Sequence, residues 1–164
     1  MLKDKIQKSL NAQMNFELSS SYLYLAMAAY FEGENLNGFA HWMKLQSGEE
    51  YGHAMKIYGY INQRNGRVNL AKIDAPKSEW KSASEVFSET LKHEKSVTKS
   101  IDELVDVAIE EKDHATNAFL QWFVTEQVEE EATATNILNK IKLVGDNKNG
   151  LFLLDRELGM RAAG

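Results

Sequence analysis

Cysteine is absent from this chain of 164 residues, and proline occurs only once, at Pro76. The lack of cysteine excludes disulfides, thiolate metal sites and cysteine nucleophiles, so any bound metal must be held by oxygen and imidazole ligands. The lack of proline, together with long stretches rich in Ala, Leu, Glu, Lys and Met, leaves few helix breakers among strong helix formers. The sequence therefore predicts an all-α fold.

Clusters of basic residues and long apolar runs are also missing. The formal net charge is −5, and Lys and Arg are scattered along the chain, so we expect no nucleic-acid partner. The charged N-terminus lacks the apolar core of a signal peptide, and no run reaches transmembrane length. We therefore expect no membrane partner and a cytoplasmic location.

The chain has the composition of an ordinary globular protein, with 43% apolar and 26% charged residues. Its length suffices for one core and does not require a second, so we treat residues 1–164 as a single domain. Turn-forming residues divide it into four long helices and a short fifth. We predict these helices at 4–32, 37–65, 83–111, 114–144 and 147–159.

One connection is much longer than the others. The stretch from Gly66 to Ser82 is mostly non-periodic, and long structureless loops are uncommon in compact domains. Fully extended, it could reach about 55 Å, whereas the preceding helix is only about 43 Å long. The loop can therefore run the length of the bundle, which predicts a four-helix bundle with one long crossover and a parallel second and third helix.

Each long predicted helix carries an apolar stripe at alternating steps of three and four residues, the spacing of a core-facing surface. Polar residues interrupt each stripe near its middle. They are Glu17 in the first helix, Glu50 and His53 in the second, Glu94 in the third, and Glu126 and Glu130 in the fourth, with Gln127 beside them. Buried ionised carboxylates need a counter-charge. Because no Lys or Arg shares these stripes, we expect a bound cation.

Glu50 and His53 form a Glu-x-x-His pair, whose spacing places both side chains on one helix face. With Glu17 and Glu94, the set nearly matches the di-metal layout in which two helices supply Glu and two supply Glu-x-x-His. The fourth helix departs from that layout, because no histidine follows Gln127 or Glu130 at the expected place. Oxygen ligands with one imidazole suit Fe(II), Mn(II) or Mg(II) better than Zn(II), and iron is favoured.

Several segments together resemble the bacterial and archaeal ferritins over essentially the whole chain. They are Glu17 with Ser21-Tyr22-Leu23-Tyr24-Leu25, Gly38-Phe39-Ala40-His41-Trp42-Met43, Glu49-Glu50 with His53-Ala54, Asn65-Gly66-Arg67-Val68, Glu111-Lys112-Asp113-His114, and Phe119-Leu120-Gln121-Trp122-Phe123 with Glu126-Gln127-Val128-Glu129-Glu130-Glu131. The resemblance implies a ferritin-like bundle.

The resemblance also implies roles for individual residues. Glu17, Glu50 and His53 match the ligands of one iron, with Glu50 bridging to a second iron held by Glu94 and Glu130, with Gln127 nearby. A probable third iron site matches Glu49, Glu126 and Glu129, together with Glu130. Tyr24 and Trp122 match aromatic residues that supply electrons or hydrogen bonds near the site.

Members of this family store iron. The resemblance implies oxidation of Fe(II) by O2 or peroxide (ferroxidase activity), a homo-24-mer shell and a ferric mineral inside it. Haem is not expected, because a haem-binding ferritin would carry a second Glu-x-x-His and a methionine where this chain has Tyr51. A rubrerythrin would need a cysteine-rich iron domain, and Dps proteins place their site between subunits.

Two other functions remain open from the residues alone. The same carboxylates would serve a di-metal oxidoreductase without storage, and a non-catalytic bundle could use polar core residues to fix its register. The apolar fifth segment is too short to span a membrane and too apolar to face water alone, so we expect it to pack against a neighbouring subunit.

Overall fold

Five α-helices make up the structure, a computed structural model that describes residues 1–164. They are α1 (Asp4–Gly33), α2 (Asn37–Gln63), α3 (Ala83–Glu110), α4 (His114–Val144) and α5 (Lys148–Leu158). The all-α prediction is confirmed, and every predicted boundary lies within two residues of the observed one. None of the helices combines the length and apolar character needed to cross a membrane.

Side-chain caps explain why three of the helices begin where they do. The side chains of Ser82, Asp113 and Asn147 accept hydrogen bonds from the backbone N–H groups at the starts of α3, α4 and α5, at 3.1, 3.0 and 3.0 Å. Each bond satisfies a donor that the helix itself leaves free. Asp113 also pairs with Arg64 at 3.1 Å, so the corner before α4 is tied to the end of α2.

The contacts between helices give their relative directions. Gln13 and Met27 of α1 contact Ser100 and Thr90 of α3, so residue numbers rise on α1 as they fall on α3. A short corner makes α1 and α2 antiparallel as well. Helices α2 and α3 therefore run parallel, and the predicted crossover topology is confirmed.

The crossover is held to α1 by side-chain amides. Asn11 donates to the carbonyl of Arg67 at 2.9 Å and accepts from the backbone of Asn69 at 2.7 Å. Asn15 repeats the pattern one turn later, bonding the carbonyl of Asn69 at 2.9 Å. These bonds give the extended loop the partners that a strand or helix would otherwise supply.

Helix α5 packs against the start of α2. The Asp155 carboxylate accepts a hydrogen bond from the backbone N–H of Phe39 at 2.9 Å. A side chain at Gly38 would place its Cβ 1.7 Å from the Asp155 carbonyl oxygen, so only glycine permits this approach. The outer face of α5 remains exposed, with Phe152 68% and Leu153 62% accessible.

Two apolar clusters fill opposite ends of the bundle. One includes Phe31, Phe39 and Phe87 near the link between α1 and α2, and the other includes Ile6 and Ile57 at the far end. The layer between them contains buried polar residues from all four long helices, among them Glu17, Glu50, Glu94 and Glu130. The candidate site lies in that layer.

Candidate metal centre

Four carboxyl groups, one from each long helix, meet in the polar layer. Glu17, Glu50 and Glu94 are each 1% exposed and Glu130 is 8% exposed. His53 joins them from α2, one helical turn after Glu50, and is 6% exposed. The stripe positions predicted from the sequence therefore do converge.

The ligand atoms form three groups in which all lie within 4.8 Å of one another. One group is Glu17, Glu50 and His53, and a second is Glu50, Glu94 and Glu130. Glu50 belongs to both, so its carboxyl group lies between two places where a cation could bind. This geometry fits a pair of ions that share one bridging carboxylate.

In the first group, glutamine holds one oxygen of each carboxyl and leaves the other free. Gln13 donates to Glu17 Oε1 at 2.8 Å, and Gln46 donates to Glu50 Oε1 at 3.0 Å. Glu17 Oε2 and Glu50 Oε2 are buried without any hydrogen-bond partner, and His53 Nδ1 lies 3.4 Å from Glu50 Oε2. Buried polar atoms normally have partners, so these two oxygens fit either a proton held between the two raised-pKa carboxyls or a bound cation.

In the second group, the carboxyls are held by other polar side chains. The Tyr24 hydroxyl donates to Glu94 Oε1, and Gln127 Nε2 donates to Glu94 Oε2 at 3.1 Å. Gln46 reaches across to Glu130 Oε2 at 2.7 Å, so a single amide group touches both Glu50 and Glu130. Gln127 thus donates an N–H group to Glu94, and this hydrogen bond fixes the orientation of the Glu94 carboxyl.

Burial raises the pKa of every carboxyl group in this layer. The pKa values of Glu17 and Glu50 lie well above the ordinary value, first because of desolvation and then because of neighbouring carboxylates. Desolvation likewise raises the pKa of Glu94, and it raises that of Glu130 to about 7. Without a cation, protons must supply the missing positive charge.

The residues expected to form a third site line an adjacent pocket of about 190 Å³. Glu49, Glu126, Glu129 and Glu130 all contribute to its wall. Glu126 lies closest to the main site, because its Oε1 is 3.8 Å from His53 Nε2, and with His53 and Glu130 it forms the last of the three ligand groups. Glu49 and Glu129 belong to none of these groups.

Comparison with known proteins places this bundle in a family. A family model described as a ferritin-like domain matches residues 7–144. The chain belongs to the ferritin family. The ferritin-like fold and the resemblance noted from the sequence are therefore confirmed.

Individual relatives cover nearly the whole ferritin chain. A bacterial non-heme ferritin of Bacteroides fragilis is 50% identical over 161 residues, spanning 98% of this chain and 100% of that protein. A bacterial non-heme ferritin of Staphylococcus aureus is 41% identical over 161 residues, spanning 98% and 97%.

Two solved ferritin structures also match this chain over nearly its whole length. An open pore ferritin of Archaeoglobus fulgidus superposes with a TM-score of 0.98 at 48% identity, covering 99% of both chains. A closed form of the Archaeoglobus fulgidus ferritin, engineered by site-directed mutagenesis, gives a TM-score of 0.99 at 46% identity, covering 100% of both. This chain therefore has the same bundle geometry as these two ferritin structures over its whole length.

Two aromatic residues border the centre of this ferritin chain. Tyr24 is fully buried, and burial followed by the charge of Glu94 raises its pKa well above the ordinary value. Trp122 is 40% exposed, and its ring lies 5.3 Å from the His53 ring on one side and under Lys56 Nζ at 3.3 Å on the other. Tyr24 therefore touches a carboxyl directly, whereas Trp122 contacts the histidine.

Sequence reasoning missed three residues that hold the carboxyls in place. Gln13 and Gln46 each lie four residues before a carboxyl on the same helix face, so their spacing could have identified them as donors. Arg161 also contacts Gln46, at 3.1 Å. No sequence pattern indicates that contact, because Arg161 follows the last helix.

Proposed function

We propose that this chain is an iron-storage subunit that oxidises Fe(II) at a paired site within each bundle and passes the ferric product to a mineral. The observation that carries the proposal is the position of Glu50, which is shared by two ligand groups, together with the buried Oε2 atoms of Glu50 and Glu17, which have no hydrogen-bond partner. Oxygen ligands with one imidazole suit Fe(II). The family relationship favours iron over other divalent cations.

The two Fe(II) substrates would occupy the two groups. Glu17, Glu50 and His53 would hold the first ion, and Glu50, Glu94 and Glu130 the second, with Glu50 bridging. Gln127 would orient Glu94 rather than bind iron, since its N–H already points at that carboxyl at 3.1 Å. Holding both ions at one carboxylate lets O2 accept one electron from each, forming hydrogen peroxide with two protons.

Protons and iron would exchange places at these carboxyls. In the absence of iron, the raised pKa values keep part of the carboxyl groups protonated near neutral pH. Binding of Fe(II) would displace those protons, leaving charged ligands. The Tyr24 hydroxyl, hydrogen-bonded to Glu94, is the group best placed to deliver an electron or a proton to the O2 that is reduced beside the second group.

Storage would depend on assembly and on a route from the site. Glu49, Glu126 and Glu129, together with Glu130, would form a third iron site that leads from the pair towards the cavity. A homo-24-mer shell, located in the cytoplasm, would retain the mineral, and the exposed apolar face of α5 would supply one of its subunit contacts. Haem, nucleic acid and membranes have no part in this function.

The test is anaerobic loading of the purified protein with Fe(II), followed by air, with the size of the assembly and the iron retained per subunit recorded. A Glu50→Ala/His53→Ala variant should lose fast oxidation, because it removes both the bridge and the imidazole. Glu103→Gln is a matched control, since Glu103 is an exposed α3 residue whose side chain is 68% accessible.

The outcomes separate the candidate functions. A large shell that oxidises Fe(II) quickly and retains many irons per subunit supports storage. A small oligomer that holds about two irons would instead indicate a di-metal oxidoreductase. Equal oxidation by the double variant and the native protein would show that the polar layer only fixes the register of the helices.

A further inference from the structure

The six residues after α5 fold back along α2. The backbone carbonyl of Arg161 accepts a hydrogen bond from His41 Nε2 at 2.8 Å. The Arg161 guanidinium donates to the backbone carbonyl of Trp42 at 3.2 Å and lies 4.5 Å from the centre of the Trp42 ring. These three contacts hold the C-terminal segment, residues 159–164, against the first half of α2.

The Arg161 side chain ends in the acidic pocket. Its Nη2 pairs with Glu49 Oε2 at 2.9 Å, and its Nη1 donates to Gln46 Oε1 at 3.1 Å. The side chain is only 20% exposed. Arg161 is the one basic residue in the wall of the pocket, against four glutamates, so it supplies the positive charge there.

A metal ion and the guanidinium would compete for the same carboxylate. Arg161 engages Glu49 through a directional, charge-assisted N–H donor. While this pair exists, one oxygen of Glu49 is not available to a cation. An ion entering the pocket must therefore break the pair or bind with fewer ligands.

Arg161 also acts on the main site through Gln46. Because the guanidinium fixes the Gln46 carbonyl oxygen, the amide nitrogen of Gln46 faces the other way, towards Glu50 at 3.0 Å and Glu130 at 2.7 Å. The chain of contacts therefore runs from the C-terminal segment to the bridging carboxyl.

We propose that Arg161 is a built-in counter-cation of the third site. It pairs with Glu49 while the pocket holds no metal, and a divalent cation displaces it and releases residues 159–164. This inference rests on the proposed function, since it concerns the third site of that centre. The pairing lowers the affinity of the third site relative to the other two, so that iron passes through it rather than remaining there.

Zinc binding tests the competition without any redox reaction. The whole assembled protein is titrated with Zn(II) by calorimetry, and we expect two tight events and a weaker third event per subunit. Arg161→Gln should strengthen the third event by about twofold to fivefold, the upper part of the range for removing a partly exposed charge pair. It should leave the assembly unchanged, and because Arg161 also fixes Gln46 it should weaken, not strengthen, the first two events. Arg161→Lys keeps the charge and should remain near the native affinity.

Two further variants serve as controls. Arg67→Gln removes the same charge from an exposed position in the crossover and should change none of the three events. Glu49→Gln should abolish or strongly weaken the third event alone. Hydrogen exchange of residues 159–164 gives a second readout, and it should accelerate in the native protein only when the third equivalent of Zn(II) binds.

Each outcome has a defined meaning. A third event that is unchanged or weaker in Arg161→Gln would overturn the inference, as would exchange in residues 159–164 that does not respond to the third equivalent. The absence of a third event in every protein, with two tight events present, would also overturn it while leaving the paired site intact. Loss of the two tight events together with absent Fe(II) oxidation would instead refute the proposed function.

Discussion

Replacing Glu130 with glutamine should stabilise the metal-free protein at neutral pH. Desolvation, followed by the charge of Glu94, raises the pKa of Glu130 from 4.5 to about 7. The folded protein therefore binds more protons than the unfolded chain between these two pH values, so its stability falls as pH rises through that window. Below pH 4.5 the carboxyl is protonated in both states, and the penalty disappears.

The size of the effect follows from the two pKa values. At pH 7 the penalty is about 3 kcal/mol, and at pH 5 it is about 1 kcal/mol. Glutamine removes it because a neutral amide has the shape of the carboxyl. Its oxygen can still accept the hydrogen bond that Gln46 now donates to Glu130 at 2.7 Å, so Glu130→Gln should gain most of these amounts.

The assay is unfolding of chelator-treated protein at pH 5 and pH 7, with native and variant proteins at equal subunit concentration because assembly is linked to stability. Adding Zn(II) should reverse the order, since the native carboxylate binds the ion and the amide does not. The exposed Glu103→Gln should change stability by less than about 1 kcal/mol at both pH values. A metal-free Glu130→Gln that is less stable at pH 7, or a difference independent of pH, would refute the reasoning.

Three other substitutions probe the layer and its surroundings. Tyr24→Phe removes the hydroxyl that donates to Glu94 and should lower the free energy of unfolding by about 1 kcal/mol in a denaturant titration; no change would contradict that hydrogen bond. Gln46→Leu removes the donor shared by Glu50 and Glu130. It should weaken Zn(II) binding, measured by calorimetry, by about 10- to 100-fold. An unchanged affinity would show that the amide does not orient these two carboxyl groups. Phe87→Ala opens a cavity in the apolar cluster between α3 and α2 and should cost about 3–5 kcal/mol in thermal unfolding without changing metal stoichiometry.

The fold could be predicted because its signals are local. Helix stripes have a fixed period, and the corners carry their own caps, such as Asp113 before α4. Even the topology followed from the length of the crossover. The single-domain prediction for residues 1–164 agrees with the ferritin-like match over 7–144 but stays a prediction.

The buried carboxyls of the candidate site could be predicted in part for the same reason. Glu17, Glu50 and Glu94 interrupt apolar stripes, which makes them visible in the sequence. The position of Glu126 near His53 Nε2, at 3.8 Å, depends on the rotation of α4 and on which ring nitrogen faces inward. The contact of Arg161 depends on the angle at which α5 leaves the bundle, and no periodic signal encodes that angle.

The arrangement of the core explains how the bundle accommodates a layer of buried carboxyl groups, whose desolvation is unfavourable. The apolar clusters at the two ends, which include Phe31 and Ile57, supply packing that does not depend on the middle. Within the layer, Gln13 and Gln46 each fix one carboxyl oxygen and leave the other free. The fixed oxygens keep the carboxyl groups in position, and the free oxygens are those that a proton, or the cation that we propose, would reach. Because protons can replace a departing ion at raised pKa, the layer can lose the cation that we propose for it without leaving buried charge uncompensated, which a storage protein requires of a site that must be used again.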